Sequence, residues 1–193
     1  MKRFIKKFLA FSVLLAFASC ETQMIDKIDV FKLETGAYMR TVAPWPLTAA
    51  NGITYKIATL PAAQVAMTIE AVDPQQGAML ASYDLQVRFV DNTPANGNSA
   101  KAYVDLRSIP AASFTKDASV SMYPRTQLVL TAAELMTKLG LKATDVAAND
   151  SFEVHAIMRL TDGRSFTDAN SGSEIKGGAY FKSPFFYRIT LAN

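Results

Sequence analysis

Alternation of apolar and polar residues recurs in short segments along most of the chain. The clearest case covers residues 83–90, in which Leu85, Val87 and Phe89 lie on one face and three polar side chains lie on the other. A period of two is typical of a β-strand that buries one face. This segment is therefore predicted to be a strand.

Further segments show the same alternation or a short apolar run between turn residues, and each is predicted to be a strand. They cover residues 36–42, 53–59, 64–72, 101–109, 126–130, 152–160, 164–167 and 185–191. In the segment 101–109 we expect Ala102, Val104 and Leu106 to face the core. The Pro-, Gly- and Asn-rich residues 91–99 predict a hairpin that joins this segment to the strand at 83–90.

One helix is predicted between the strands at 126–130 and 152–160. Thr131 and Glu134 have the spacing of a capping box, and Gly140 follows a run of good helix formers as a C-terminal stop. About eight short strands and a single short helix indicate a mainly β protein. We expect an antiparallel β-sandwich of the immunoglobulin or fibronectin-III type, with a small closed barrel as the alternative.

The N-terminal residues have the pattern of a lipoprotein export signal. Four basic residues precede an apolar stretch at 8–18 that is too short to span a membrane, and Ala18-Ser19 stands directly before Cys20. This order matches a lipobox, although Phe17 occupies a position where leucine is more usual. We expect cleavage before Cys20 and lipid attachment to that residue, with 1–19 as signal peptide, 20–33 as tether and 34–193 as the sandwich domain.

Removal of the leader changes the charge of the protein. The whole chain has 20 basic and 17 acidic residues, but four of the basic residues lie in the leader, so 16 remain against 17. No basic patch is left for a phosphate backbone, and no nucleic acid is expected as a partner. Because Cys20 is the only cysteine, neither an internal disulfide nor a thiolate metal site is predicted.

Several segments resemble a family of uncharacterised Bacteroidota outer-membrane lipoproteins found beside nutrient-uptake systems of the starch-utilisation type. They read GAYMRT at 36–41, FVDNTP at 89–94, IPAASF at 109–114, LTDGRSF at 160–166, GGAYF at 177–181 and SPF at 183–185. The resemblance implies a lipid-anchored protein of the outer membrane that faces the cell surface, with the periplasmic face as the alternative. It implies an outer-membrane transporter as a possible partner and carries no catalytic motif.

The search for catalytic and metal-binding patterns gives little. His155 is the only histidine, so no histidine pair exists for zinc, and it lies on the outward face of its strand. Asp84, Asp105 and Glu153 are also predicted to point outward, where a pair of carboxylates could serve a glycosidase if they met across neighbouring strands. We expect no catalytic residue, metal or cofactor, and a non-enzymatic protein.

Aromatic residues are the remaining candidates for a binding site. Trp45 lies between two prolines, and Tyr103 and Phe186 are expected on the outward faces of their strands. Exposed aromatic rings are surfaces on which sugars and protein partners pack. The sequence thus favours an accessory lipoprotein that binds a glycan, a peptide or a transporter. The alternatives are a purely structural subunit of an outer-membrane complex and, last, a carboxylate-dependent hydrolase.

Overall fold

The computed structural model describes residues 36–43, 53–93, 95, 97–172, 175 and 185–193. The chain divides into two compact units, Met1–Glu34 and Thr35–Asn193, and every described residue lies in the second. Nine strands and one α-helix are described in it. They are β1 (Tyr38–Ala43), β2 (Ile53–Lys56), β3 (Gln64–Val72), β4 (Leu80–Val90), β5 (Lys101–Pro110), β6 (Arg125–Thr131), α1 (Ala132–Leu139), β7 (Ser151–Leu160), β8 (Ser165–Phe166) and β9 (Phe186–Ala192).

The strands form two sheets. The smaller sheet has the order β1-β3-β6, and the larger has the order β2-β9-β7-β4-β5, with β8 paired to β7. All of these pairs are antiparallel except β2 and β9, which run parallel. The mainly β sandwich predicted from the alternation is confirmed, and the parallel pair is a feature that the alternation did not predict.

The strand order is that of an immunoglobulin-like sandwich. Strands β1, β3 and β6 take the places of strands A, B and E in one sheet, and β5, β4, β7 and β9 those of C′, C, F and G in the other. Helix α1 follows β6 and precedes β7, so it lies on the connection between the two sheets. Half of the predicted capping box forms, because the Thr131 hydroxyl accepts a hydrogen bond from the Glu134 amide at 3.1 Å, whereas the Glu134 carboxylate accepts from Arg107 at 2.6 and 2.7 Å. The predicted C-terminal stop, Gly140, is left-handed with φ 65°.

One apolar core lies between the sheets. Strands β4 and β7 contribute the largest alternating sets, with Leu85, Val87 and Phe89 buried opposite Phe152 and Val154. The two sheets are also joined by a polar contact, since the Tyr55 hydroxyl on β2 donates to the Leu130 carbonyl on β6 at 2.7 Å. We find no helix among the described residues with the length and hydropathy of a membrane span.

The prediction for the inward face of β5 was wrong in part. Leu106 is buried, but Ala102 and Val104 are exposed, Val104 with 39% of its surface accessible. The pairing of β5 with β4 shifts between Leu85 and Gln86 and again before Phe89. Strand β5 is also the edge of its sheet, so it has a neighbouring strand on one side alone.

Candidate ligand-binding face

A buried carboxylate lies between two arginines on the outer face of the larger sheet. Arg88 on β4, Glu153 on β7 and Arg188 on β9 are direct register partners across three neighbouring strands. Arg88 donates from Nε at 2.7 Å to one carboxylate oxygen, and its Nη2 is 2.5 Å from the same oxygen. Arg188 donates from Nε at 3.0 Å and Nη2 at 2.7 Å to the other oxygen. Both oxygens of Glu153 are therefore engaged.

The arginines keep Glu153 ionised although it is nearly inaccessible. Its side chain is 4% exposed, whereas those of Arg88 and Arg188 are 43% and 60% exposed. Burial acts to raise the pKa of Glu153, but the hydrogen bonds and charges of Arg88 and Arg188 outweigh it and lower that pKa. The solvent-accessible groups of this cluster are therefore the two positively charged guanidinium groups.

His155 joins the two aromatic residues that the sequence singled out. It lies next to Glu153 on the outward face of β7, between β4 and β9. Its ring centroid is 4.6 Å from that of Tyr103 and 5.0 Å from that of Phe186, the latter in an edge-to-face arrangement. The Asp168 carboxylate is 3.7 Å from Nδ1 of His155. Two rings that are 83 residues apart in sequence thus belong to one cluster.

Each arginine also packs on one of these rings. The guanidinium carbon of Arg88 is 4.9 Å from the ring centroid of Tyr103, and that of Arg188 is 5.5 Å from the ring centroid of Phe186. Such cation–π contacts fix the plane of a guanidinium group. We call the set of Arg88, Tyr103, Glu153, His155, Phe186 and Arg188 the arginine–aromatic face.

The Tyr103 hydroxyl stays protonated in this environment. Burial is the main reason that the pKa of Tyr103 is raised to about 12, with the Arg88 charge opposing it and the Glu153 charge adding to it. The hydroxyl lies 3.5 Å from the Glu153 carboxylate, a long contact for a hydrogen bond. Tyr103 is therefore uncharged, and it offers an aromatic ring together with a hydroxyl that can donate a hydrogen bond.

Two solvent-open hollows border the arginine–aromatic face. The Tyr103 hollow, of about 430 Å³, is bordered by Arg88, Asp91, Lys101 and Tyr103 together with neighbouring backbone. The Arg188 hollow, of about 300 Å³, is mostly polar and is lined by the residues Val90, Asn92, Asn149, Ser151, Glu153, Arg188 and Thr190. Val90, at the end of β4, borders both hollows. The outer face thus offers one hollow with two cations, a carboxylate and a ring, and another in which neutral hydrogen-bonding groups lie beside Arg188 and Glu153.

The other predicted site residues fall in two groups. Cys20 and Trp45 lie outside the described residues, so the lipid site and the tryptophan stay predictions. Asp84 and Asp105 do lie on the outward face, but neither is brought to Glu153. Asp84 bonds to Ser108 at 2.5 Å and Arg159 at 2.5 Å, and Asp105 accepts from Gln86 at 2.9 Å. Asp84 pairs with Ile157, four residues along β7 from Glu153, a spacing of roughly 13 Å.

A loop carboxylate, that of Asp150, stabilises the turns next to the arginine–aromatic face. Asp150 is fully buried and accepts from the Asn92 amide at 2.8 Å, the Thr93 hydroxyl at 2.9 Å and the Ala147 amide at 2.7 Å. It thereby ties the residues after β4 to those before β7. No group of three or more residues able to hold a metal ion is found in the described part of the chain.

Sequence reasoning missed the arginines of the face and a second, similar cluster. On the outer face of the smaller sheet, Glu70 on β3 lies between its register partners Arg40 on β1 and Arg125 on β6 and bonds to both. Burial acts to raise the pKa of Glu70, but hydrogen bonds from Ser121, Arg125 and Arg40 lower it. Opposite charges at outward positions of three strands were the available signal, but only the strand order shows that they are neighbours.

Comparisons with known proteins add little to this picture. No protein-family model matches the chain, and no curated protein matches it. Among solved structures, the chain is similar to one of murine CRIg, at 10% sequence identity and a TM-score of 0.30, over 81% of this chain and 96% of that one. The strand order is what identifies the fold as immunoglobulin-like.

Proposed function

We propose that this protein is a non-catalytic accessory lipoprotein of an outer-membrane nutrient-uptake system that binds a glycan or peptide on the arginine–aromatic face. The observation that carries the proposal is the convergence of Tyr103 and Phe186 on His155, each beside an exposed arginine. Aromatic rings and arginine are the residue types that contribute most at binding surfaces. The hollows on either side add places for a ligand to enter.

The anchoring part of the proposal is supported by the leader and Cys20 and by the family resemblance. Labelling of whole cells with a radioactive fatty acid tests it. We expect label on the protein and its recovery in the outer-membrane fraction, and loss of both in Cys20→Ser. Label that persists in Cys20→Ser contradicts lipid attachment at this residue. Protease shaving of intact cells then distinguishes the cell surface from the periplasmic face.

The binding part is tested by titration of the full chain, purified in detergent micelles, against a panel of oligosaccharides and peptides. We expect saturable binding that is weakened at least about tenfold by Tyr103→Ala or Phe186→Ala, because each change removes a ring of the cluster. Binding that is unchanged in both variants means that the ligand lies elsewhere. Asp84→Asn and Asp105→Asn are the matched controls, since these carboxylates belong to other contacts on the same sheet face.

A purely structural subunit is the second candidate, and one observation favours it. Val120 and Met122 are exposed by 60% and 54%, respectively, on either side of Ser121. The Ser121 hydroxyl bonds to buried Glu70, so the loop presents these two apolar side chains from a fixed point. Co-purification from solubilised membranes separates the candidates. A stoichiometric complex that Val120→Ser/Met122→Ser disrupts, with no affinity for glycans or peptides, favours the structural subunit.

A further inference from the structure

The side chains that can bind a ligand at the Tyr103 hollow are positively charged hydrogen-bond donors. Arg88 uses Nε and Nη2 on Glu153, so its Nη1 edge has no protein partner within the described residues. The same holds for Nη1 of Arg188, because its Nε and Nη2 also go to Glu153. Lys101 is exposed, borders the hollow and has no described ion-pair partner. Arg88 and Lys101 therefore present two cationic donors at the Tyr103 hollow, and Arg188 presents a third at the Arg188 hollow.

The carboxylate oxygens near these cations already accept hydrogen bonds within the protein. Both oxygens of Glu153 hold arginines, and both oxygens of Asp91 accept backbone hydrogen bonds, one from the Thr93 amide and one from the Ser99 amide, each at 2.8 Å. The Asp168 carboxylate is 3.7 Å from Nδ1 of His155, and its charge also acts on Tyr103. A ligand that satisfies this surface must itself supply acceptors, and a negative charge is favoured because the exposed groups are cations.

The guanidinium groups are held in place before any ligand arrives. Arg88 is fixed by Glu153 on one edge and by the Tyr103 ring against its plane, and Arg188 is fixed in the same way by Glu153 and Phe186. A preorganised donor loses little rotamer entropy on binding. A planar guanidinium with one free edge suits a carboxylate or a sulfate group.

The Arg188 hollow has a different chemistry. Beside the Glu153–Arg188 ion pair, its lining consists mainly of side chains that are neutral and can both donate and accept hydrogen bonds, namely Asn92, Asn149, Ser151 and Thr190. Such groups match the hydroxyls of a sugar better than they match a second acidic group. A chain molecule that carries charge at one unit and hydroxyls at the next would fill both hollows.

On these grounds we infer that the ligand is an acidic oligosaccharide, which rests on the proposed binding function and narrows it. Its carboxylate or sulfate binds Arg88 and Lys101 in the Tyr103 hollow, and a neighbouring sugar unit binds in the Arg188 hollow. Glu153 is a positioning residue that holds both arginines, while Tyr103 and Phe186 order the guanidinium planes.

The test titrates the full chain in micelles with matched pairs of probes. One pair is a hexagalacturonate and its carboxyl-reduced form, another is a sulfated hexasaccharide and its desulfated form, and an oligoglutamate peptide is the third probe. We expect at least one acidic sugar to bind at least about tenfold more tightly than its neutral form, with affinity that falls as salt rises. Which pair responds distinguishes a carboxylate from a sulfate.

A surface variant keeps the test independent of folding. Lys101→Gln removes one exposed charge without touching a described contact, and we expect it to weaken binding of the acidic sugar by about three- to tenfold. Lys138→Gln, an exposed lysine on α1, is the matched control and should change nothing. Equal binding of acidic and neutral forms overturns the acidic inference but leaves glycan binding standing, and binding of oligoglutamate alone replaces the sugar with a peptide. Binding of none of the probes contradicts this inference and the proposed function together.

Discussion

Arg188 donates two hydrogen bonds, at 3.0 and 2.7 Å, to a single carboxylate oxygen of Glu153, and thereby ties β9 to the centre of the larger sheet. Arg88 takes the other oxygen from the opposite side. The carboxylate thus links three neighbouring strands, and it also orients two guanidinium groups that face solvent. Stability and binding are expected to depend on the same residue.

Glu153→Gln is expected to lower the free energy of unfolding by about 1–3 kcal/mol, because a buried charge partner of two arginines is lost. The effect stays below that of a fully buried pair since the arginines are 43% and 60% exposed and can turn to water. Urea denaturation at pH 7 measures it. Asp105→Asn, an exposed carboxylate on the same sheet face, is the control and should stay within about 0.5 kcal/mol of the wild type.

Glu70→Gln is expected to cost more, about 3–5 kcal/mol, in the same assay. The Glu70 side chain is fully buried, and its partners Arg40 and Arg125 are only 20% and 25% exposed, so after the change these arginines gain less hydration than Arg88 and Arg188 do after Glu153→Gln. A cost equal to or smaller than that of Glu153→Gln would contradict the view that burial of the partners sets the size of the loss.

Acidification is expected to remove the contribution of Glu153 to the free energy of unfolding within a defined pH range. Its folded pKa lies below the ordinary value of 4.5, so the ionised form is stabilised by folding, and this stability is present above pH 4.5 and lost as pH falls through the folded pKa. The stability gap between the wild type and Glu153→Gln should be full at pH 7 and close below pH 4.5. Denaturation curves at several pH values test this, and a gap that widens in acid would contradict it.

Two glycines allow the stability cost of backbone strain to be measured separately from that of a steric clash. Gly77 and Gly163 have similar left-handed φ values of 86° and 89°, but a Cβ on Gly77 would lie 2.1 Å from Cδ of Pro124, whereas one on Gly163 would meet nothing within 4 Å. Gly163→Ala is expected to cost about 1 kcal/mol from φ alone, and Gly77→Ala several kcal/mol through displacement of Pro124. Equal losses in thermal denaturation would show that the segment around Pro124 moves freely.

Much of the fold could be predicted because its strands have one buried face. The alternation in β4 and β7 identifies their inward residues correctly, and Thr131, Glu134 and Gly140 mark the ends of α1. The same reasoning fails for Ala102 and Val104, since alternation alone shows neither that β5 is an edge strand nor that its register shifts. The parallel pair of β2 and β9 likewise depends on tertiary contacts.

The arginine–aromatic face could be predicted only as separate residues. Sequence placed Tyr103 and Phe186 on outward faces, which the structure confirms for both. Their meeting at His155 depends on the order β5-β4-β7-β9, which a single sequence does not show. Glu153 points outward as predicted, but it is nearly buried, because two long arginine side chains from neighbouring strands cover it.

The central claim is that the arginine–aromatic face binds the ligand, and one double variant tests it most directly. In titrations of the full chain with the tightest-binding oligosaccharide, Tyr103→Ala/Phe186→Ala should abolish detectable binding while its circular dichroism spectrum stays that of a folded β protein. Val120→Ala/Met122→Ala, on the exposed loop that Glu70 holds, should bind as the wild type does. Full affinity in the first variant, or loss in the second alone, would contradict the claim.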